Sequence, residues 1–157
     1  MARNTRRFTC PPEAVFAVLA DGWLYPGWVV GASRMRRVDG AWPQPGSELH
    51  HSFGTWPVLL DDRTVVEEWS PPRRMVLLAR GWPMGEARVE IEAQKRDAGC
   101  VIRMRETAVS GPASWLGFVL EPLLLWRNRE TLHRLALLAE GSARRPPSNE
   151  SAPTAAP

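Results

Sequence analysis

Residues 85–96 carry the clearest pattern in the chain, with Ala87, Val89, Ile91 and Ala93 alternating with Arg88, Glu90 and Glu92. A period of two predicts a β-strand with one buried face and one wet face. The same period, less regular, predicts strands over 3–10, 33–39, 47–53, 59–69, 74–82 and 100–109. Turn chemistry separates them at Asp39-Gly40, Pro45-Gly46, Pro71-Pro72 and Asp97-Ala98-Gly99.

Two regions change to helical spacing. After the first strand, Pro11-Pro12-Glu13 opens a run with apolar residues at Val15, Phe16, Val18 and Leu19, a short amphipathic helix that Gly22 stops. The aromatic segment Trp23–Trp28, punctuated by Pro26-Gly27, reads as a turn into a second short helical piece. Gly111-Pro112 then starts a long helix over roughly 113–140, apolar nearly all round from Trp115 to Trp126 and amphipathic through Leu132, Leu135 and Leu138. Pro122 should kink it or break the pairing of its preceding turn, and Gly141 is the expected C-cap.

Seven consecutive antiparallel strands curl, and the long helix is the element that fills their concave face. The expected architecture is therefore one α+β domain over residues 1–141. Residues 142–157, rich in Ser, Ala, Pro and Arg without periodicity, are expected to form a disordered tail.

Composition narrows the class. The 157 residues suit one domain, and a hydrophobic fraction of 44% with eight tryptophans argues for a globular core. Twenty basic residues, all arginine except Lys95, are scattered among 17 acidic ones for a net charge of +3. That scatter describes a salt-bridged, solvated surface and argues against a nucleic-acid partner. Cys10 and Cys100 stand in no paired or metal-binding motif, which suits buried thiols in a reducing compartment and predicts neither disulfide nor metal. The basic N-terminus is followed by no apolar stretch, so a secretory signal is not expected. The most apolar run, interrupted by Glu121 and Pro122, is too short for a transmembrane segment. A cytoplasmic location is the expectation.

The order of elements and several local motifs resemble the START-related helix-grip superfamily (SRPBCC), in its polyketide cyclase/dehydrase-like branch. The residues that carry the likeness are Pro12-Glu13-Ala14-Val15-Phe16, Tyr25-Pro26-Gly27-Trp28, Val38-Asp39-Gly40, Pro45-Gly46-Ser47, the stretch Glu68–Arg74, and Asn128 on the final helix. The likeness covers about residues 3–141 and implies a seven-stranded curved sheet gripping a C-terminal helix. It implies little about chemistry, because the superfamily includes lipid carriers, hormone receptors, aromatase/cyclases and chaperone activators.

No nucleotide-binding glycine motif, P-loop, zinc-protease motif, Cys-x-x-Cys or serine-hydrolase elbow occurs, and no cofactor is expected. Neighbours on a strand face opposite ways, so His50 and His51 cannot easily share one metal; one should face the interior and one the solvent. His133 falls on the polar half of the long helix. Period two from Ile102 and Met104 puts Glu106 on the concave face, where a carboxylate is either neutral or bonded to an arginine. General acid/base catalysis and a structural ion pair are both open for it. Glu67 and Glu68 take opposite faces of their strand, so one is expected to look inward beside Trp69, with Arg80 or Arg127 as partner. Trp23, Tyr25 and Trp28 cluster where the fold opens.

These readings give a candidate ligand-binding set of Trp28, His51, Trp69, Arg80, Met104, Glu106, Leu120, Leu124 and Arg127. Glu106 and His51 are the candidates for proton chemistry. The expected function is binding, transport or sequestration of a small hydrophobic molecule (a lipid, polyketide or aromatic) between sheet and helix. An aromatase/cyclase enzyme and a protein-binding module like the chaperone activators are the alternatives.

Overall fold

The computed structural model describes residues 1–81, 85–111 and 117–145, with the side chains at 55, 81 and 117–120 outside that description. The chain runs β1 (Ala2–Phe8), α1 (Pro12–Ala20), a 3-10 turn (Gly22–Leu24) and α2 (Tyr25–Trp28). It continues through β2 (Ala32–Val38), β3 (Glu48–Thr55), β4 (Val58–Ser70), β5 (Arg74–Gly81), β6 (Gly85–Arg96) and β7 (Gly99–Ser110), and ends in α3 (Gly117–Arg144). One seven-stranded sheet has the order β1-β7-β6-β5-β4-β3-β2, with every neighbour antiparallel. This is the helix-grip arrangement the element order predicts.

The register assigns the faces. One row crosses the sheet through Trp69, Met75, Ile91, Met104 and Asn4, and a second through Val66, Leu77, Val89, Glu106 and Ala2. These rows belong to the concave face, where Val66, Met75, Leu77, Ile91, Ile102 and Met104 pack with Val15, Phe16 and Leu19 of α1 and Leu132, Leu135 and Ala139 of α3. The outer face carries an ion-pair lattice in which Arg74 reaches Glu68, Glu90 and Glu92, and Arg88 reaches Glu67.

Side-chain hydrogen bonds hold α3 in place. Asn4 Nδ2 donates to the Leu125 carbonyl at 3.0 Å, and the Thr9 amide donates to Glu140 at 2.8 Å, which fixes the helix along β1. Gly22 permits the turn after α1, because a Cβ there would lie 2.6 Å from Leu49 Cδ2 on β3.

Two expectations change. Gly141 does not cap α3: its φ is not in the left-handed region, and the helix continues through an exposed last turn to Arg144. Arg144 suits that position, because a cation there complements the helix dipole. Glu67 and Glu68 do not straddle the sheet either. The register slips between Val66 and Glu68, the signature of a β-bulge, and both carboxylates pair with outer-face arginines.

Candidate functional site

A chain of polar side chains lies inside the grip. The Tyr25 hydroxyl from α2 and His51 Nε2 from β3 each lie 3.0 Å from the Thr64 hydroxyl on β4. Thr64 has one proton to give and two lone pairs, so it can donate to at most one of these neighbours and accept from either. The Tyr25 and His51 rings also stack at 5.0 Å, and Trp28 meets the Tyr25 ring edge-on at 5.2 Å. All four residues are buried.

Burial governs their ionisation. It pushes His51 down to about 4, helped by the positive charge of Arg36, so the imidazole is neutral at pH 7. It pushes the Tyr25 phenol up to about 12 against the opposing hydrogen bond from Thr64. Asp62 shares Thr64's face by period two and pairs with His51 across the strands; desolvation raises its carboxyl above the usual range. The cluster thus presents neutral donors and acceptors, with Asp62 beside them.

Across the sheet, Glu106 on β7 is buried and accepts a hydrogen bond from Arg127 Nη2 of α3. The charges of Arg127, Asp62 and Glu106 all act on the Tyr25 hydroxyl, which brings the two polar groups into one neighbourhood. Asn128, the next residue on α3, is 1% exposed, and neither polar atom of its amide has a partner among the described residues. Glu106 Oε2 has none either.

Small residues separate these groups. Thr64 pairs with Ala79, Ala79 with Ala87, and Ala87 with Ala108, so one row of the concave face is alanine from β5 to β7. All three are only half-buried, whereas Leu77 and Val89 in the next row are buried. The register therefore lays a strip of methyl groups across the concave face, with Thr64 at one side and Glu106 near the other.

The candidate residues divide by position. His51, Met104, Glu106 and Arg127 lie on or face the concave side, and Trp28 backs the Tyr25 ring. Trp69 is on the concave side but at the far end, where it is partly buried and packs against the core residue Phe16 at 5.3 Å. Arg80 points outward to Glu86 at 2.9 Å, because β5 turns its even positions away from Met75, Leu77 and Ala79. Leu124 is half-buried on α3, and the Leu120 side chain lies outside the described residues. His50 is on the outer face, 3.2 Å from Glu48. Sequence reasoning did not single out Thr64, Asp62 or the Asn128 amide as site groups. The alternation Asp62, Thr64, Val66 was the available signal for the first two.

Among the described residues no three His, Cys, Asp or Glu side chains gather as metal ligands. No helix there is long and apolar enough to cross a membrane. Two shallow depressions of about 370 and 320 Å³ belong to the charged outer side, around Arg74 and Arg103 and around His50 and Arg63.

Fold and interior together define a helix-grip protein whose concave face carries a strip of small residues flanked by buried polar groups. The chain belongs to the family described as "Polyketide cyclase / dehydrase and lipid transport", which it matches over residues 2–140. Solved structures with the same fold include protein NE0264 from Nitrosomonas europaea, 17% identical with a TM-score of 0.69, over 89% of this chain and 94% of that one. The di-domain ARO/CYC StfQ from the steffimycin biosynthetic pathway matches 90% of this chain and 50% of its own at 14% identity and a TM-score of 0.70. Ara h 8.0201 matches 88% of this chain and 96% of its own at 11% identity and a TM-score of 0.66. At these identities the likeness is one of fold. No curated protein matches the chain.

Proposed function

We propose that the alanine strip floors a trough between sheet and helix and that the protein binds a small, largely apolar molecule there, with its polar end among Tyr25, His51, Glu106 and Arg127. One observation carries this reading: the half-buried row Ala79, Ala87 and Ala108, set between buried polar groups. A core selected only for stability fills such a row with larger side chains, as the next row does with Leu77 and Val89. Apolar walls with a few convergent polar groups are the ordinary make-up of a small-molecule site. The family description, which includes lipid transport, agrees with it.

Ala87→Phe tests the reading by filling the trough. Binding of naphthalene, followed by quenching of tryptophan fluorescence, should weaken at least about tenfold while the melting temperature holds. Unchanged binding would sink the proposal.

A second reading, an aromatase/cyclase-type enzyme, is favoured by the hydrogen-bonded chain His51–Thr64–Tyr25. A neutral imidazole and a phenol linked through a hydroxyl can exchange protons with a bound carbonyl compound without creating a buried charge. The resemblance in fold to an ARO/CYC protein supports the same reading. Turnover of a poly-β-keto substrate that disappears in Thr64→Val would establish it.

A further inference from the structure

On the outer face of the sheet, a depression of about 370 Å³ is lined by guanidinium groups. The register places it. Arg74 on β5 pairs with Glu92 on β6, and Glu92 with Arg103 on β7, so one row across three strands reads Arg–Glu–Arg. The next outer pair is Gln94 and Val101, and both line the depression. Their side chains are shorter than the arginines beside them, which leaves the surface hollow there. Arg73, from the turn between β4 and β5, lines it as well, and its carbonyl accepts from the Ala93 amide at 2.8 Å.

Charge is unevenly met around this hollow. Three arginines line it against one carboxylate, Glu92. That carboxylate already accepts from Arg74 at 3.0 Å and has Arg103 and Arg105 at 3.8 Å, so its charge is compensated. Arg103 has no closer acid among the described residues. Arg73 is exposed, and its guanidinium has no ionic or hydrogen-bonding partner among them. Gln94 takes a bond from Arg96 on its amide oxygen, which leaves its amide nitrogen to donate elsewhere.

We propose that this depression is a separate binding site, for the phosphate group of a small phosphate monoester. It lies on the opposite face of the sheet from the trough and stands independently of the ligand proposed there. A guanidinium presents donors and no acceptor, so Arg73 and Arg103 call for an anion, with Gln94 as a neutral donor beside them. Shape selects phosphate among anions. One planar carboxylate is satisfied by one arginine fork, whereas a tetrahedral dianion offers oxygens to several donors at once. Arg74 and Arg103 stand about 10 Å apart across two strand spacings, so both side chains can reach a group held over Gln94 and Val101. Size selects an ester. The volume is that of about a dozen waters, more than a bare phosphate fills, and Ala93 and Val101 give the remainder an apolar wall.

Isothermal titration of phenyl phosphate into the protein at pH 7.5 and low ionic strength tests the site. Saturable one-to-one binding is expected, with inorganic phosphate, singly charged diphenyl phosphate and benzoate each at least about fivefold weaker. Arg73→Gln should weaken phenyl phosphate about tenfold, and because that side chain holds nothing else in place the melting temperature should not move. Arg34→Gln is the control. Arg34 is equally exposed and unpaired among the described residues, but it lies on β2 at the far edge of the sheet. It removes the same charge and should leave binding within about twofold. Equal losses in the two variants would mean attraction by net positive charge alone and would overturn the site. No saturable binding, or benzoate bound as tightly as phenyl phosphate, would overturn it too. Binding that Ala87→Phe abolishes and Arg73→Gln leaves alone belongs to the trough and counts equally against the outer site.

Discussion

Arg127 of α3 donates to the Glu106 carboxylate on β7, so this ion pair helps fasten the helix to the concave face of the sheet. Glu106 is nearly inaccessible and the Arg127 side chain is 27% exposed, which makes the pair half-way between a surface contact and a core one. Removing either partner should leave the other partly desolvated without compensation, at about 1–3 kcal/mol. Urea unfolding of Arg127→Met, Glu106→Gln and the double variant should give a coupling of about 1 kcal/mol or more. Additive effects would show that the pair does not hold the helix.

Thr64 joins two elements through one hydroxyl. Thr64→Val keeps the shape and leaves Tyr25 Oη and His51 Nε2 buried with no partner at that position. The expected loss is about 1–3 kcal/mol by chemical denaturation, and Thr64→Ser should recover most of it. A loss no larger than for an exposed threonine on the same strand would mean that the chain contributes nothing to stability.

Much of this was legible in the sequence, for physical reasons that differ by element. The alternation in β6 and the apolar pair Ile102 and Met104 fixed which side of β7 faces inward, and Glu106 followed from period two. Arg80 was misread as an inward ligand group although its facing was there to read: Met75, Leu77 and Ala79 occupy the inner positions of β5, so an even residue there faces solvent. The bulge at Glu67 was not legible, because an extra residue changes the facing of a strand without changing its composition. The Tyr25–Thr64 contact was hidden as well. It spans 39 residues and joins a helix to a strand, and no local pattern encodes such a meeting. The alanine row became visible only when three strand registers were laid side by side.

The domain is proposed to end with α3. Residues beyond 145 are mostly Pro, Ser and Ala, a composition with little apolar area to bury. Deleting 146–157 should shift the melting temperature by no more than about 2 °C. A drop above about 5 °C would mean that this segment packs against the domain and belongs to it.

His51 should make stability depend on pH in a window set by its own burial. Its folded-state value lies near 4, against an ordinary 6.5. A base with a depressed folded value is bound by protons more readily when unfolded, so protonation favours unfolding. Stability is therefore full above about pH 6.5, falls as pH drops from 6.5 toward 4, and levels off below that for this group. The whole step is about 2–3 kcal/mol, from the size of the shift discounted for partial solvation. Carboxylates begin to titrate in the lower half of the window, so the cleanest comparison lies between pH 6.5 and 5. His51→Gln keeps an amide in place of the imidazole and removes the titration. The difference in unfolding free energy between the unmodified protein and His51→Gln should shrink or reverse as pH falls through that range. A difference that stays constant from pH 7 to 5 would mean that His51 titrates normally, and the ring would then have access to water that the buried Tyr25–Thr64 contact denies it.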